Sequence, residues 1–330
     1  MLGSVATGGG PTPSEVRHPA AAYDPLVQTD GSLVGRNVVV TGASKGIGEA
    51  VALRAAAEGA NVVVNSSGSG GRDPGPLLAV AERINAAGGG RAVASVGPVE
   101  DYDYAGELVA TCVEQFGSVD ALFAVAGVPS PRRNSILDID PDDWRRLLAI
   151  HLDGTFNCCR HAAPLMAGQG HGAIVTTSSD SWLGDYAGTA YPAAKGAIVS
   201  LTWSMARDLA PKGVRCNAIA PGARTPMASG PGFEARIDTL VRAGTLSAEE
   251  AHAVLTMPGP EFVAPLYVFL ASDAAEGITG RLFRARGTTI EVFPLPSAVP
   301  VAERPVTDGP WTHAELVERL ADLADGPTEP

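Results

Sequence analysis

The 330-residue sequence predicts a doubly wound, parallel α/β fold in a single domain with N- and C-terminal extensions. Three observations predict it. Short β-branched or apolar runs alternate with helix-length segments through the middle of the chain, the pattern of crossover units on a sheet covered on both faces. A glycine-rich turn joins the first such run to the first helix. Apolar residues make up 45% of the chain, enough to fill a large core.

Residues 1–33 are rich in Gly, Pro, Ala and Thr without periodicity, and read as a flexible arm or one draped over a neighbour. The α/β domain is expected over 34–292. Val38-Val39-Val40 is its first strand, and 46–58 its first helix. Strands at 61–64, 92–94, 119–124, 173–176 and 214–219 alternate with helices at 75–87, 102–116, 141–168 and 189–210. Segment 222–260 is irregular and rich in Gly, Pro and Ala, with a helical piece at 233–254. An insertion beyond a strand's C-terminal end is placed to act as a substrate lid. A helix at 261–271 and a last strand at 280–285 follow. The tail, 293–330, is Pro-rich except where Thr312-His313-Ala314-Glu315 forms a capping box opening a short helix over 312–323.

The formal charge of −12 argues against nucleic acid or an anionic membrane as the main partner, while leaving room for a small anion held by local cations. Cys112, Cys158, Cys159 and Cys216 have neither disulfide-framework nor zinc spacing, which fits a reducing cytoplasm. No apolar run approaches the ~18 residues of a membrane span. The first residues, Met1-Leu2-Gly3-Ser4, do not read as a signal peptide.

Tyr191 and Lys195 stand four apart, so on a helix they share one face. A phenol titrates near ~10, and a close ammonium favours the phenolate, moving the tyrosine toward general acid/base use at neutral pH. The ordinary reading, two unrelated helix residues, is excluded only by the rest of the chain. Thr41-Gly42-Ala43-Ser44-Lys45-Gly46-Ile47-Gly48 supplies the first support. Its glycines permit a tight turn and close approach to a pyrophosphate, and amides at the helix start bind the anion. A tight turn without a ligand is the bland alternative. The second strand ends in Asn65 and Ser66, without the acidic residue that would accept a ribose 2′-hydroxyl. With Lys45 and Arg72 available to a 2′-phosphate, NADP(H) is expected, NAD(H) being the alternative.

The glycine motif at 41–48, Ser178-Ser179, Tyr191-x-x-x-Lys195 and Pro221-Gly222-Ala223-Arg224-Thr225 occur in an order that resembles the short-chain dehydrogenase/reductase family, over about 33–292. Ile150-His151-Leu152-Asp153-Gly154-Thr155-Phe156 is similar to the branch holding the hydroxyacyl-CoA dehydrogenase domains of multifunctional enzymes and related actinobacterial proteins. The resemblance implies a Rossmann-type sheet and hydride transfer between nicotinamide and a ketone or secondary alcohol. It implies Tyr191 as proton donor and acceptor, Lys195 as the residue that lowers its pKa and binds the nicotinamide ribose, and Ser179 as the hydroxyl on the substrate oxygen. The family's commoner serine–tyrosine spacing would select Ser178; the strand anchor favours Ser179. Gly42, Ser44, Lys45, Gly46, Ile47, Gly48, Ser66, Ala126, Gly127, Tyr191, Lys195, Pro221, Gly222 and Thr225 are the expected cofactor contacts, Thr225 at the carboxamide.

Three positions depart from the family pattern. His151 stands where Asn usually supports a water relay to the lysine; an imidazole can serve that relay or simply pack. The usual Asn-Asn-Ala-Gly reads Ala124-Val125-Ala126-Gly127, and Pro98 replaces an acidic residue near the adenine. Each lost hydrogen bond is worth about 0.5–1.5 kcal/mol, so the adenosine half of the site is expected to bind more weakly. Met227, Phe233, Ile237, Leu240, Leu246 and Met257 in the lid suggest a small hydrophobic carbonyl or alcohol substrate, or ordinary lid packing. Arg224, Arg236 and Arg242 could meet an anionic handle such as an acyl carrier or coenzyme A, although a solvated face is the commoner reading. The resemblance further implies a homodimer or homotetramer. A ketoreductase is the leading expectation, with a non-redox cyclase, dehydratase or epimerase on the same scaffold as the alternative.

Overall fold

In the computed structural model, residues 30–67, 73–131, 134–184, 186–321 and 323 are described. The short β-branched runs pair as buried parallel neighbours because neither of their faces is polar. β1 (Asn37–Val40) lies between β2 (Asn61–Ser66) and β4 (Ala121–Ala124), with Val38 opposite both Val62 and Ala121. β3 (Ala92–Val96), β5 (Gly172–Thr177), β6 (Val214–Gly222), β7 (Leu282–Arg286) and β8 (Thr289–Val292) complete an eight-stranded sheet in the order β3-β2-β1-β4-β5-β6-β7-β8. The order reverses between β1 and β4, so the C-terminal ends of these strands flank a crevice, the usual ligand position in such sheets.

The helices are α1 (Gly46–Ala57), α2 (Gly75–Ala87), α3 (Tyr102–Phe116), α4 (Pro141–Leu148), α5 (Gly154–Gln169), α6 (Ala190–Leu209), α7 (Pro231–Arg242), α8 (Ala248–Leu255), α9 (Ala264–Ala271) and α10 (His313–Arg319). Val38, Val40, Phe123 and Val175 turn to one face of the sheet, where α1, α2 and α9 contribute Val51, Leu77 and Tyr267. Val39, Leu122 and Ile174 turn to the other, against Leu108, Cys158 and Met166 of α3 and α5. Neighbouring strand residues serve opposite faces, as the two-residue side-chain period requires.

Four boundaries differ from the sequence reading. The segment at 141–168 is interrupted by a π turn, Ala149–Asp153, which carries His151. β6 runs on through Pro221 and Gly222, which pair with Ala285 and Arg286. The lid piece at 233–254 is two helices, α7 and α8, and α8 opens on a Ser247–Glu250 capping box. The strand at 280–285 is not the last: Gly287, with φ +52°, turns the chain into the antiparallel β8.

Ser32 and Leu33, inside the expected N-terminal arm, donate backbone hydrogen bonds to Glu58, and Leu33 is buried. The rest of the arm up to residue 29 lies outside the described residues, as does Arg72. Residues 294–330 cluster as a separate unit. Within it, Arg304 stacks on Trp311 at 4.3 Å and pairs with Glu315, which also caps α10 through Thr312. All four cysteines are free and buried, and no single helix among the described residues is long and apolar enough to cross a membrane.

Candidate active site

The glycine turn is held from two sides. Ala43 N–H donates to the Asn65 carbonyl at 2.8 Å, tying the turn to β2. The Thr41 hydroxyl accepts from the Val125 and Ala126 amides, each at 3.0 Å, tying it to the end of β4. Gly42 has φ +68°, and a Cβ there would lie 2.8 Å from the Ala126 Cα; a Cβ on Gly48 would lie 2.3 Å from the Gly42 carbonyl oxygen. Only glycine satisfies both positions. Lys45, the residue before α1, makes no side-chain cap and is exposed, so its side chain leaves the amides at the start of α1 uncapped. Gly46 lies against Thr225, which would be 3.4 Å from an added Cβ. Ser44, Ile47, Gly46, Ala126 and Gly127 line the same half-buried surface, a cradle that fits a dinucleotide pyrophosphate.

Asn65 does not face that cradle. Its amide donates to the Ser95 and Gly97 carbonyls and the Tyr104 hydroxyl, a structural tie to β3 and α3. Ser66 is therefore the hydroxyl that ends β2 at the expected ribose position. The departure at 124–127 has a packing consequence: Val125 joins one core and Ala126 the other, and their amides are satisfied by Thr41.

β5 and α6 bring the other residues together. Ser178 and Ser179 follow the last residue of β5, with side chains in opposite directions. The Ser178 hydroxyl donates to the Lys195 carbonyl at 3.0 Å and is buried. The Ser179 hydroxyl accepts from the Ser181 amide at 3.3 Å, and of the two serines it is the one whose influence favours the ionised Tyr191 phenol. The fully buried Tyr267 hydroxyl sits 3.0 Å from Thr177 Oγ1, bracing this strand end from α9.

The expectation that Lys195 pulls the Tyr191 pKa down is not met by the protein alone. Burial pushes the Tyr191 phenol up to about 12, and only the Ser179 hydrogen bond and the Arg236 guanidinium oppose it. Lys195 is itself buried, which lowers its pKa to about 7 and removes much of its charge. Its Nζ lies 5.5 Å from the centre of the Tyr191 ring and donates to the Thr177 carbonyl at 2.8 Å. In a dry site both groups favour their neutral forms.

His151 packs rather than floats. Its Nε2 lies 3.0 Å from the Val128 amide and 2.9 Å from the Val128 carbonyl, accepting from the first or donating to the second according to tautomer. Its ring meets Tyr191 edge-on at 5.2 Å. Burial, then the nearby Lys195, lower its pKa to about 3, so it stays neutral, and Nδ1 is buried without a hydrogen-bond partner among the described residues. Gly127 is the floor beneath it: a Cβ there would fall 2.5 Å from His151 Cε1.

Pro221 and Gly222, placed in β6, pair with Ala285 and Arg286, and Gly222 faces Arg286 and Met257; a Cβ on it would lie 2.6 Å from Arg286 Cγ. Arg286 pairs with Asp180, the residue after Ser179. Sequence reasoning missed this pair and the Thr41 tie. Both join segments far apart in the chain, and no local pattern announces them.

The profile of the short chain dehydrogenase family matches residues 36–231. The cis-4-hydroxycyclohexanecarboxylate dehydrogenase of Sinomonas cyclohexanicum is 37% identical over 254 residues, covering 76% of this chain and 95% of the relative. A short chain dehydrogenase of Mycobacterium avium is 35% identical with a TM-score of 0.76, over 91% of this chain and 98% of that one. One from Mycobacterium paratuberculosis, solved bound to NAD, is 28% identical with a TM-score of 0.67, over 77% of this chain and 97% of that one. A doubly wound sheet, a glycine turn on its first helix and a Ser-Tyr-Lys cluster at its C-terminal edge agree with these matches: the chain belongs to the short-chain dehydrogenase/reductase family of nicotinamide-dependent oxidoreductases.

Proposed function

We propose that the protein is an NADP(H)-dependent ketoreductase, or alcohol dehydrogenase in the reverse direction, acting on a small carbonyl substrate with a largely apolar skeleton. The observation that carries the reading is the clustering of Tyr191, Lys195 and His151 beside the end of β5, with the Lys195 Nζ 5.5 Å from the Tyr191 ring centre and bonded to the Thr177 carbonyl, and His151 edge-on to the phenol ring. The nicotinamide, when bound, supplies or accepts the hydride at the substrate carbon. The chain's own residues manage the oxygen: Ser179 and Tyr191 donate hydrogen bonds to it, and Tyr191 holds the transferable proton. Lys195 and neutral His151 act through Tyr191 as positioning residues. Lys195 ties α6 to β5, and His151 ties the Val128 backbone to the phenol.

Gly42, Ser44, Gly46, Ile47, Gly48, Ala126 and Gly127 would hold the pyrophosphate and adenosine, and Pro221, Gly222 and Thr225 the nicotinamide end. Ser66 at the end of β2 and exposed Lys45 in the glycine turn support a 2′-phosphate, since no carboxylate occupies the end of that strand. The relative from Sinomonas cyclohexanicum, a dehydrogenase of a hydroxycyclohexanecarboxylate, supports a secondary alcohol on a carbon skeleton as the substrate class. Exposed Phe156 and Leu165 on α5, Phe269 on α9, and Ile290 and Val292 on the edge strand β8 support assembly as a homodimer or homotetramer. Four reduced cysteines support a cytoplasmic setting.

The test is NADPH and NADH oxidation with a panel of ketones, in the wild type and Tyr191→Phe. The expected result is a preference for NADPH and a loss of about 10²–10⁴-fold in kcat for Tyr191→Phe, the range of a general acid. Product formed without nicotinamide oxidation would instead favour the non-redox alternative.

A further inference from the structure

Asp180 directly follows Ser179 and opens the short 3₁₀ turn Asp180–Leu183, which Ser179 caps through the Ser181 amide. Its side chain is only 11% exposed. Oδ2 meets the Arg286 guanidinium, while Oδ1 is buried without a hydrogen-bond partner among the described residues. Other buried carboxylates of this chain are better served. Asp120 accepts from the Asn37 amide, the Ser118 hydroxyl and His171, and Glu58 from the Ser32 amide and Arg54. A half-satisfied carboxylate withdrawn from water costs stability. Burial holds the Asp180 carboxyl above the usual carboxylate range in spite of Arg286. The sheet does not need the pair, because β6 and β7 already run side by side from Ala218–Leu282 to Gly222–Arg286.

Arg286 also borders the lid. A Cβ on Gly222 would lie 2.6 Å from Arg286 Cγ and 3.1 Å from Met257 Sδ, so both side chains lie against that glycine. Met257 and Pro258 close the lid segment. The Pro258 carbonyl accepts from the Arg224 amide at 2.9 Å, and its ring would be 3.2 Å from a Cβ on Gly287. The stem of Arg286 therefore lies at the base of the lid, and its charged head reaches the turn after Ser179. Arg284, on the same face of β7, is engaged elsewhere: it pairs with Glu291 of β8 and lies over the Phe293 ring.

We propose that Arg286 is a positioning residue: through Asp180 it fixes the turn that carries Ser179, and through its stem beside Gly222 and Met257 it fixes the base of the lid against that turn. This rests on hydride transfer at Tyr191 with Ser179 on the substrate oxygen, as proposed above, and adds what holds the serine in place. The register of β5 with β6 ends at Thr177–Ile219, and the Ser178 amide makes one further bond, to the Ile219 carbonyl. Ser179 lies beyond that pairing, so the direction of its hydroxyl depends on the turn that follows. A misplacement of about 1 Å at a group that orients substrate costs up to about 10²-fold in rate. The ion pair is kept at a cost in stability because it sets position.

The experiment measures melting temperature and steady-state kinetics, with NADPH and the ketones cyclohexanone and ethyl acetoacetate. The variants are Arg286→Met, Arg286→Lys, the double variant Asp180→Asn/Arg286→Met, and Arg284→Met as a control. Arg286→Met leaves Asp180 uncompensated and should melt below the wild type. Adding Asp180→Asn removes that charge and should restore the melting temperature. Positioning predicts that the rate does not return with it: both variants lose about 10–100-fold in kcat, with KM for NADPH within about 3-fold, since the glycine turn is untouched. Arg286→Lys keeps a charged donor and should recover part of kcat. Arg284→Met removes a cation from the same strand and should stay within about 3-fold of wild type. A kcat that recovers with the melting temperature, a loss no greater than that of Arg284→Met, or a loss confined to KM for NADPH would overturn the proposal. Amide hydrogen exchange of the ligand-free chain reads the same positioning without turnover. Faster exchange over both 179–183 and 256–260 in the double variant supports it, and a change confined to 284–292 overturns it. If both segments loosen while the wild type reduces neither ketone, the result counts against the redox reading only. Should Arg286→Met fail to fold, the double variant and Arg286→Lys decide.

Discussion

Lys195 shows how strongly one buried group can depend on its surroundings. At 3% exposure, its ammonium has one carbonyl partner and no carboxylate among the described residues, and its pKa falls to about 7. The unfolded chain, with an ordinary lysine near 10.5, binds more protons than the folded protein between those values. Stability from this group therefore rises with pH across that window and is diminished below it. Lys195→Met should stabilise the cofactor-free protein at pH 6.5 and lose most of that advantage by pH 9.5. At ~2–4 °C per kcal/mol for a domain of this size, melting curves at the two pH values resolve the change. An advantage that stays constant or grows with pH would contradict the assignment. Tyr191 does not confuse the window, because its pKa is raised and its phenolate matters only above pH 10.

At the scale of elements, the π turn and the end of β4 depend on each other. The turn inserts His151 into the helical run so that its ring spans from the Val128 backbone to Tyr191, and Gly127 leaves the room beneath. Gly127→Ala would put a Cβ 2.5 Å from His151 Cε1 and force the ring or the strand end to move. The expected cost is about 1–3 kcal/mol in denaturant unfolding, with a larger proportional loss of cofactor affinity, since Ala126 and Gly127 line the cradle. Unchanged affinity in a destabilised variant would mean that the His151 contact serves packing alone. The sequence placed helix-forming residues on both sides of position 151 but could not show the inserted residue. A π turn leaves the apolar periodicity nearly intact, and its cause is the fit of one ring against a strand end distant in the chain.

At the scale of the molecule, residues 30–293 hold two core layers that share one sheet. Val38 and Val40 serve one layer while Val39 serves the other. Strands common to both layers predict a single cooperative transition. Leu77→Ala and Met166→Ala, on opposite faces, should each cost about 2–5 kcal/mol and add to within ~0.5 kcal/mol in the double variant. Two separate transitions, or one variant without effect on a shared midpoint, would show that the layers unfold independently.

The strands and their parallel arrangement were legible because buried parallel strands must be continuous apolar runs, and a glycine turn before the first helix marks where a dinucleotide is expected. Tyr191, Lys195 and Ser179 were legible as types in order, since their spacing is local. The choice between Ser178 and Ser179 was not: it depends on where each hydroxyl points as β5 ends, and the fold commits the Ser178 hydroxyl to the Lys195 carbonyl. The same holds for protonation. From spacing, Lys195 lowers the tyrosine pKa; in the folded chain, desolvation raises it, because both groups are buried by segments that lie far apart in sequence. Arg236 read more readily as a solvated cation in the sequence, with an anionic handle as the alternative, and in the fold it lies half-buried on the face of α7 that carries Ile237. The sequence by itself determined the fold, the family and the kinds of chemistry available. The tertiary structure decided which side chains share a dry volume, and with it their charge, since burial depends on every segment that closes over them.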